Sequence, residues 1–326
     1  MSKLNPFVPI IILMLVIPHD IITATSQPDS TQTTEKQIDF KGYVQYHWIF
    51  DGKNGVVPDN QFLLRRARLT AEPQITEILS VAIEIDVGKS KISTKDAFIE
   101  YKYSRALRII LGQHKMPFSR ERLTSSSKIL FIERSTMNDV FEDHLWLGRD
   151  IGLSMNGRII SSEVFDVNYF IGAYNGTGGA VEYNNAKQYV QRLTFDISKR
   201  FSIGVNSSQR TDSITAKVLT AHGADISYKG KNIIFETELL YGNRTLSDRM
   251  VGGYVQLYHR ISRFEWGVRF EKLREDVHTS ISRSSITGGM GIHVNENLRL
   301  RTNIEQVRPK SGNPYINVFT QVQAAF

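Results

Sequence analysis

A chain of 326 residues with 41% hydrophobic side chains and a mean hydropathy of −0.25 looks soluble on average. It contains no run of the roughly 18 apolar residues that a spanning helix needs, which leaves strands as the only way through a bilayer. With no cysteine it has no disulfide framework, no thiolate metal site and no lipidated Cys behind an export signal, and its net charge of +7 leaves an anionic partner open.

The chain begins with Lys3, the apolar stretch "PFVPIIILMLVIP" and the small residues of "TATSQ". A short apolar core between a base and small residues predicts a removable signal peptide over residues 1–26, with Ala24 and Ser26 at the small-residue sites. The polar residues 27–38 are expected to be a disordered periplasmic segment. From Asp39 the pattern changes. Phe40, Gly42, Val44, Tyr46, Trp48 and Phe50 alternate with Lys41, Tyr43, Gln45 and His47, a period of two that marks a strand with one apolar and one wet face. Ala67, Leu69 and Ala71 alternate with Arg66, Arg68 and Thr70, and Val81, Ile83, Ile85 and Val87 with Ala82, Glu84 and Asp86. The pattern recurs to Phe326, giving about sixteen segments.

Link lengths sort by parity. Even-numbered links are short ("PQITE", "SRA", "ISRF", "NEN"), whereas most odd-numbered ones are long ("DGKNGVVPDN", "NGTGGAVEYNNAKQ", "REDVHTSISRSS"), with that near 211–216 a short exception. Short turns at one rim and long loops at the other predict a transmembrane antiparallel β-barrel of about sixteen strands over residues 39–326, with the short turns periplasmic. Ile316, Val318, Thr320, Val322, Ala324 and Phe326 then face lipid on the closing strand, and Phe326 resembles the terminal aromatic by which the barrel-assembly machinery recognises such barrels. This places the protein in the outer membrane of a Gram-negative bacterium, in contact with its lipid.

The third loop, about 113–145, is long and carries Met116, Phe118, Leu130, Phe131, Ile132 and Phe141. A loop with so many apolar anchors packs on something, and folding into the lumen would bury them and narrow the pore.

The stretches "FLLRRARLTAE", "LGQHKMPFSRERLTSSSKILFIERS" and "FIGAYNGTG" resemble the phosphate-selective porin O and P family, over about Asp39 to Phe326. The resemblance implies a homotrimeric, sixteen-stranded outer-membrane porin with loop three inside and inward bases that pass phosphate or polyphosphate. Arg65, Arg66 and Arg68 match the family's arginine-rich second strand. Parity turns Arg66 and Arg68 inward and leaves Arg65 near the rim unless a bulge intervenes. The anion pathway is expected to run past Arg66, Arg68, Arg108, Lys115, Arg120, Arg122, Lys128, Arg299 and Arg301. Arg66, Arg68, Arg299, Arg301 and Lys41 could form one basic arc, because guanidinium forks match phosphate oxygens.

Against easy selectivity, the inward faces also carry Glu84, Asp86, Glu100, Asp150, Asp166, Asp196, Glu236, Glu238, Glu265, Glu271 and Glu305. A non-selective diffusion porin is therefore the alternative reading, followed by a barrel enzyme or a structural barrel. "GLSMNG" around Ser154 is not a nucleophile elbow, the histidines are scattered, and no metal motif or cofactor is signalled. Bases spread over strands rather than clustered argue against nucleic acid.

Overall fold

A computed structural model describes residue 38 and residues 40–326 apart from 183, 199, 213–214 and 278–281. The expected signal peptide and the polar stretch up to residue 37 lie outside the described residues. Sixteen strands follow one another: β1 Phe40–Asp51, β2 Asn60–Ala71, β3 Leu79–Asp86, β4 Ser93–Lys102, β5 Arg108–Lys115, β6 Arg149–Ser161, β7 Phe165–Tyr174 and β8 Gln188–Ile197. The second half comprises β9 Phe201–Thr211, β10 Val218–Lys229, β11 Ile233–Asn243, β12 Arg249–Ile261, β13 Phe264–Arg274, β14 Arg283–His293, β15 Leu298–Arg308 and β16 Tyr315–Ala325. Each strand pairs antiparallel with its sequence neighbours, and β1 pairs with β16, so the sheet is a closed barrel without edges.

The wall is inside-out relative to a soluble protein. On β13 the apolar Phe264, Trp266, Val268 and Phe270 are exposed, while Glu265, Arg269 and Glu271 between them are buried. Only a nonpolar surrounding makes that arrangement favourable, with lipid outside and a polar interior. The parity of the links holds: the even-numbered ones run two to seven residues, the odd-numbered ones five to 33. The third of the odd-numbered links, residues 116–148 and hereafter simply the third link, begins later than the sequence indicated, because β5 continues through His114 and Lys115. It contains two short helices, α1 Arg120–Leu123 and α2 Thr136–Asp143, capped by the side chains of Ser119 and Ser135.

At the closing seam, Phe326 exchanges two backbone hydrogen bonds of 3.0 Å with Gly42 on β1. A Cβ on Gly42 would stand 2.5 Å from the Phe326 ring and 2.6 Å from the Arg68 carbonyl oxygen. Glycine is thus required there by close approach rather than by backbone conformation. Gly42→Val is expected to cost about 1–3 kcal/mol through overpacking. The fraction of barrel that keeps its compact, heat-sensitive migration in unboiled gel samples should fall accordingly.

Candidate channel-lining site

The long third link is held by strands all around the barrel. Backbone N–H groups of Ser119, Arg120, Ile132 and Thr136 donate to Asn206 on β9, Glu238 on β11, Asn303 on β15 and Glu271 on β13, at 2.7–3.1 Å. Gln45 on β1 donates to the Ser126 carbonyl at 3.2 Å. β1 and β9 are half the barrel apart, and these anchors lie at mid-strand positions. Glu121 ties the helices together, accepting from the Ser135 N–H and hydroxyl. Phe118, Met137, Phe141, Trp146 and Leu147 form a buried apolar cluster with Tyr174, Leu240, Met250 and Tyr254 from the wall. Two of the acids expected on the inner wall, Glu238 and Glu271, thus serve as acceptors for this segment.

Two β-bulges shape the same region. The β1–β2 register slips between Gln45 and Tyr46, which face Arg66 and Leu64, so Arg65 is an extra residue. The β3–β4 register slips where Glu84 and Ile85 face Asp96 and Thr94, so Lys95 is extra. Bulges re-aim side chains. Arg65 thereby reaches Glu133 in the third link through two bonds of 2.7 and 2.9 Å, instead of staying at the rim. Both bulged bases line one cavity of about 510 Å³ together with Arg66, Arg68, Lys89, Lys91, Lys115, Arg122, Arg134 and Arg149. Five acids share it: Asp86, Glu133, Asp139, Glu142 and Asp143. These residues come from the middle of β2, the starts of β4 and β6, the ends of β3 and β5, and the links between, so the cavity belongs to the half with the long loops.

Most of the arginines are committed. Arg68 binds Asp86 and Glu84 at 2.9 and 3.1 Å, and Arg149 binds Asp96 and Glu84. Arg66 is buried, donates to Gln45 at 2.8 Å and stands 3.6 Å from Glu133. Arg122 pairs with Asp139 and Glu142. Lys115 donates to the carbonyls of Leu123 and Thr124, so it pins the link at its root. By contrast, Lys89, Lys91 and Lys95 have no carboxylate within 4.0 Å among the described residues, and Lys89 and Lys91 are exposed.

Outside the strands, local electrostatics are strongly set. Burial would raise the Glu133 carboxyl, but the Arg65 hydrogen bonds and the charges of Arg65 and Arg66 outweigh it and hold it down to about 2. Burial pushes the Arg134 guanidinium down to about 10, with Arg122 adding to it. The Asp139 side chain is 58% open to the cavity, yet the cavity is itself walled by protein. That enclosure raises its carboxyl to about 6, with Arg122 opposing and Glu133 and Glu121 adding to the rise.

The remaining expected pathway residues do not join this cavity. Lys128 and Arg299 line a second one, of about 530 Å³, at the short-turn side, where Arg299 binds Glu265 at 2.7 Å and the Tyr258 hydroxyl at 3.0 Å. Arg301 is buried and holds Gln321 and the Ile129 carbonyl. Arg120 is locked onto Asp225 and Ser202 at 2.6 and 2.7 Å. Arg108, half-exposed near Glu100 at 3.8 Å, sits at the other end of β5 from Lys115. Of the expected arc, Arg66 and Arg299 share one register row across β2, β1, β16 and β15, with Gln45 and Gln323 between them, and Arg301 lies two residues along β15. Arg66 and Arg68 open onto the first cavity and Arg299 onto the second, while Lys41 lines neither. Ser154 does meet a histidine, His114, at 2.8 Å, but both are buried beside Tyr174.

A family model described as phosphate-selective porin O and P matches residues 38–261, more than two thirds of the chain. The chain belongs to that family. The match ends at the close of β12, short of the full barrel that the sequence resemblance implied. Structures of similar fold include an anion-selective porin from Comamonas acidovorans, at TM-score 0.67 and 11% identity over 89% of this chain and 99% of that one. OmpF of Salmonella typhi, in complex with daunomycin, follows at TM-score 0.66 and 11% identity over 89% and 97%. A trimer form of the outer-membrane protein OmpT from Vibrio cholerae has TM-score 0.60 and 10% identity over 89% and 99%. A protein from Aquifex aeolicus described as uncharacterized is 26% identical over 164 residues, 45% of this chain and 39% of that relative's length. The family and the fold of these neighbours point to an outer-membrane channel.

Proposed function

We propose that the third link lies inside the lumen as a constriction, and that the channel favours multivalent oxyanions such as phosphate. The supporting observation is the cavity with ten basic and five acidic side chains, in which Asp86, Glu133, Asp139 and Glu142 are taken up by arginines while Lys89, Lys91 and Lys95 remain unpaired. Paired arginines fix the shape of the pore. Unpaired lysines supply mobile point charges that attract an anion without holding it, as conduction requires. The mid-strand anchors on β1, β9, β11, β13 and β15 support a segment stretched across the lumen. The trimeric neighbour and the family support a homotrimer, assembled in the outer membrane with Phe326 as the recognised aromatic.

Single-channel recording in potassium chloride with added phosphate tests the reading. Block of chloride current by low-millimolar phosphate is the expected result; a chloride conductance indifferent to phosphate would reduce the protein to a general diffusion porin. A pH prediction follows from Asp139. Its carboxyl loses its charge as pH falls through about 6, so the cavity becomes more positive. Anion preference should therefore rise between pH 7 and pH 5, and Asp139→Asn should abolish that rise.

A further inference from the structure

The outer face of the barrel is not uniform at the long-loop end. Strand parity turns Lys272 and Arg274 on β13, Arg308 on β15 and Arg249 on β12 outward, in line with the exposed Phe270, Ile304 and Val255 below them. Lys272 lies opposite Ser284, and Ser284 opposite Arg308, so two bases flank one serine in a row across three adjacent strands. Neighbouring strands are about 4.8 Å apart, which places the two bases roughly 10 Å from each other along the row. Arg274 stands two residues above Lys272 and faces Val251, two residues from Arg249. Arg249 lies over the Tyr241 ring at 5.7 Å. None of these four bases has a carboxylate within 4.0 Å among the described residues, and Lys272 and Arg308 are exposed. Directly below the row, Phe270, Ile286, Val268 and Ile304 are exposed, and Gly288 between the latter two leaves a side-chain-free gap.

At the same height on β1 and β2 the outward residues are Trp48, Phe50 and Phe62, with no base among them. The outward bases of β12, β13 and β15 thus have no counterpart on β1 and β2 at this height. Unpaired cations capping an apolar wall would be poorly placed against a second copy of the chain, where they would be buried without partners. They suit an amphiphile whose acyl chains lie on the wall and whose anionic head reaches the row.

We propose that the β12–β15 sector binds a phosphorylated lipid of the outer leaflet, with Lys272 and Arg308 on its phosphate and acyl chains over Phe270 and Ile286. This rests on the reading of the protein as an outer-membrane barrel with its long loops outward. The test is native mass spectrometry of the full, detergent-folded protein with a bisphosphorylated acyl-glucosamine disaccharide or its dephosphorylated form. The phosphorylated lipid should be retained at least fivefold more strongly, and Lys272→Gln with Arg308→Gln should remove that difference while single-channel conductance stays unchanged. Lys91→Gln, inside the channel, should leave lipid retention as it is. Equal retention of the two lipids, or undiminished retention by the double variant, overturns the proposal. Absence of conductance in the unaltered protein would instead count against the channel reading, whatever lipid is retained.

Discussion

Replacing Lys89, Lys91 and Lys95 together with glutamine is expected to lower anion permeability roughly tenfold at low salt, and the anion-over-cation ratio by more. A unit charge about 8 Å from a permeating ion in water contributes about 0.5 kcal/mol, so three such charges amount to about 1.5 kcal/mol. Salt screens them over a Debye length of about 8 Å at physiological ionic strength, so the effect should shrink as potassium chloride is raised. The three lysines reach the cavity by separate devices. Lys89 and Lys91 ride on a link whose Gly88 packs against the bulge, where a Cβ would stand 2.8 Å from the Arg65 carbonyl oxygen. Lys95 is turned in by the bulge on β4. None of the three anchors another group by an ion pair, so the triple variant should fold and insert like the parent. Neutralising Arg66 and Arg68 should behave differently. Both are tied to Gln45, Glu133, Glu84 and Asp86, so their loss should reduce the folded yield more than it changes selectivity. Reversal potentials of the two variants side by side separate the roles; equal loss of selectivity in both would refute the division.

Glu133→Gln is the second substitution with a large expected effect. Glu133 neutralises Arg65 and stands beside Arg66 and His47. Removing one partner of a largely buried ion pair typically costs about 3–5 kcal/mol because the other charge is left uncompensated. The limb of the third link around residues 124–134 should then come away from β2, while Gln45, Asn303 and Arg301 keep hold of Ser126, Ile132 and Ile129. The other limb stays fixed by Glu238, Glu271 and the apolar cluster around Phe141 and Trp146. A wider, noisier open channel is expected at neutral pH, with stronger anion preference because one acid is gone. The pH dependence has a definite sign. A carboxyl held down to about 2 from an ordinary value of 4.5 contributes its full anchoring above 4.5 and loses it as pH falls through about 2. The unaltered channel should thus stay quiet down to pH 4, whereas the variant is noisy throughout. Open-channel noise analysis across that range checks both statements.

The barrel was legible because its two strongest cues are physical and local. Alternation with period two survives in nearly every strand, and link lengths are sorted by which side of the membrane they occupy. The sixteen strands follow directly. The apolar anchors of the third link were legible as well, since Phe118, Phe131, Ile132 and Phe141 are all buried. The lining was less so. Arg65 and Lys95 turn inward only because one residue is inserted on each strand, and a bulge leaves no mark in an alternating pattern. Arg134 and Arg149 gave no separate signal. The segment "GKSKISTK" carried its lysines openly, but as a link between strands its inward tuck depended on Gly88 meeting the bulge. Which charges pair is a tertiary fact: Arg120 meets Asp225 more than a hundred residues away. A count of inward acids against inward bases therefore understated how many acids are already occupied.

On the proposed reading, unpaired lysines above a lumenal constriction make this an anion-favouring channel. The measurement that meets it most directly is the zero-current potential of the full protein in a planar bilayer under a potassium chloride gradient. A potential of the sign set by chloride, growing as pH is lowered from 7 to 5 and collapsing in the Lys89, Lys91 and Lys95 triple variant, is the predicted result. A potential near zero, or one of the sign set by potassium, would contradict it.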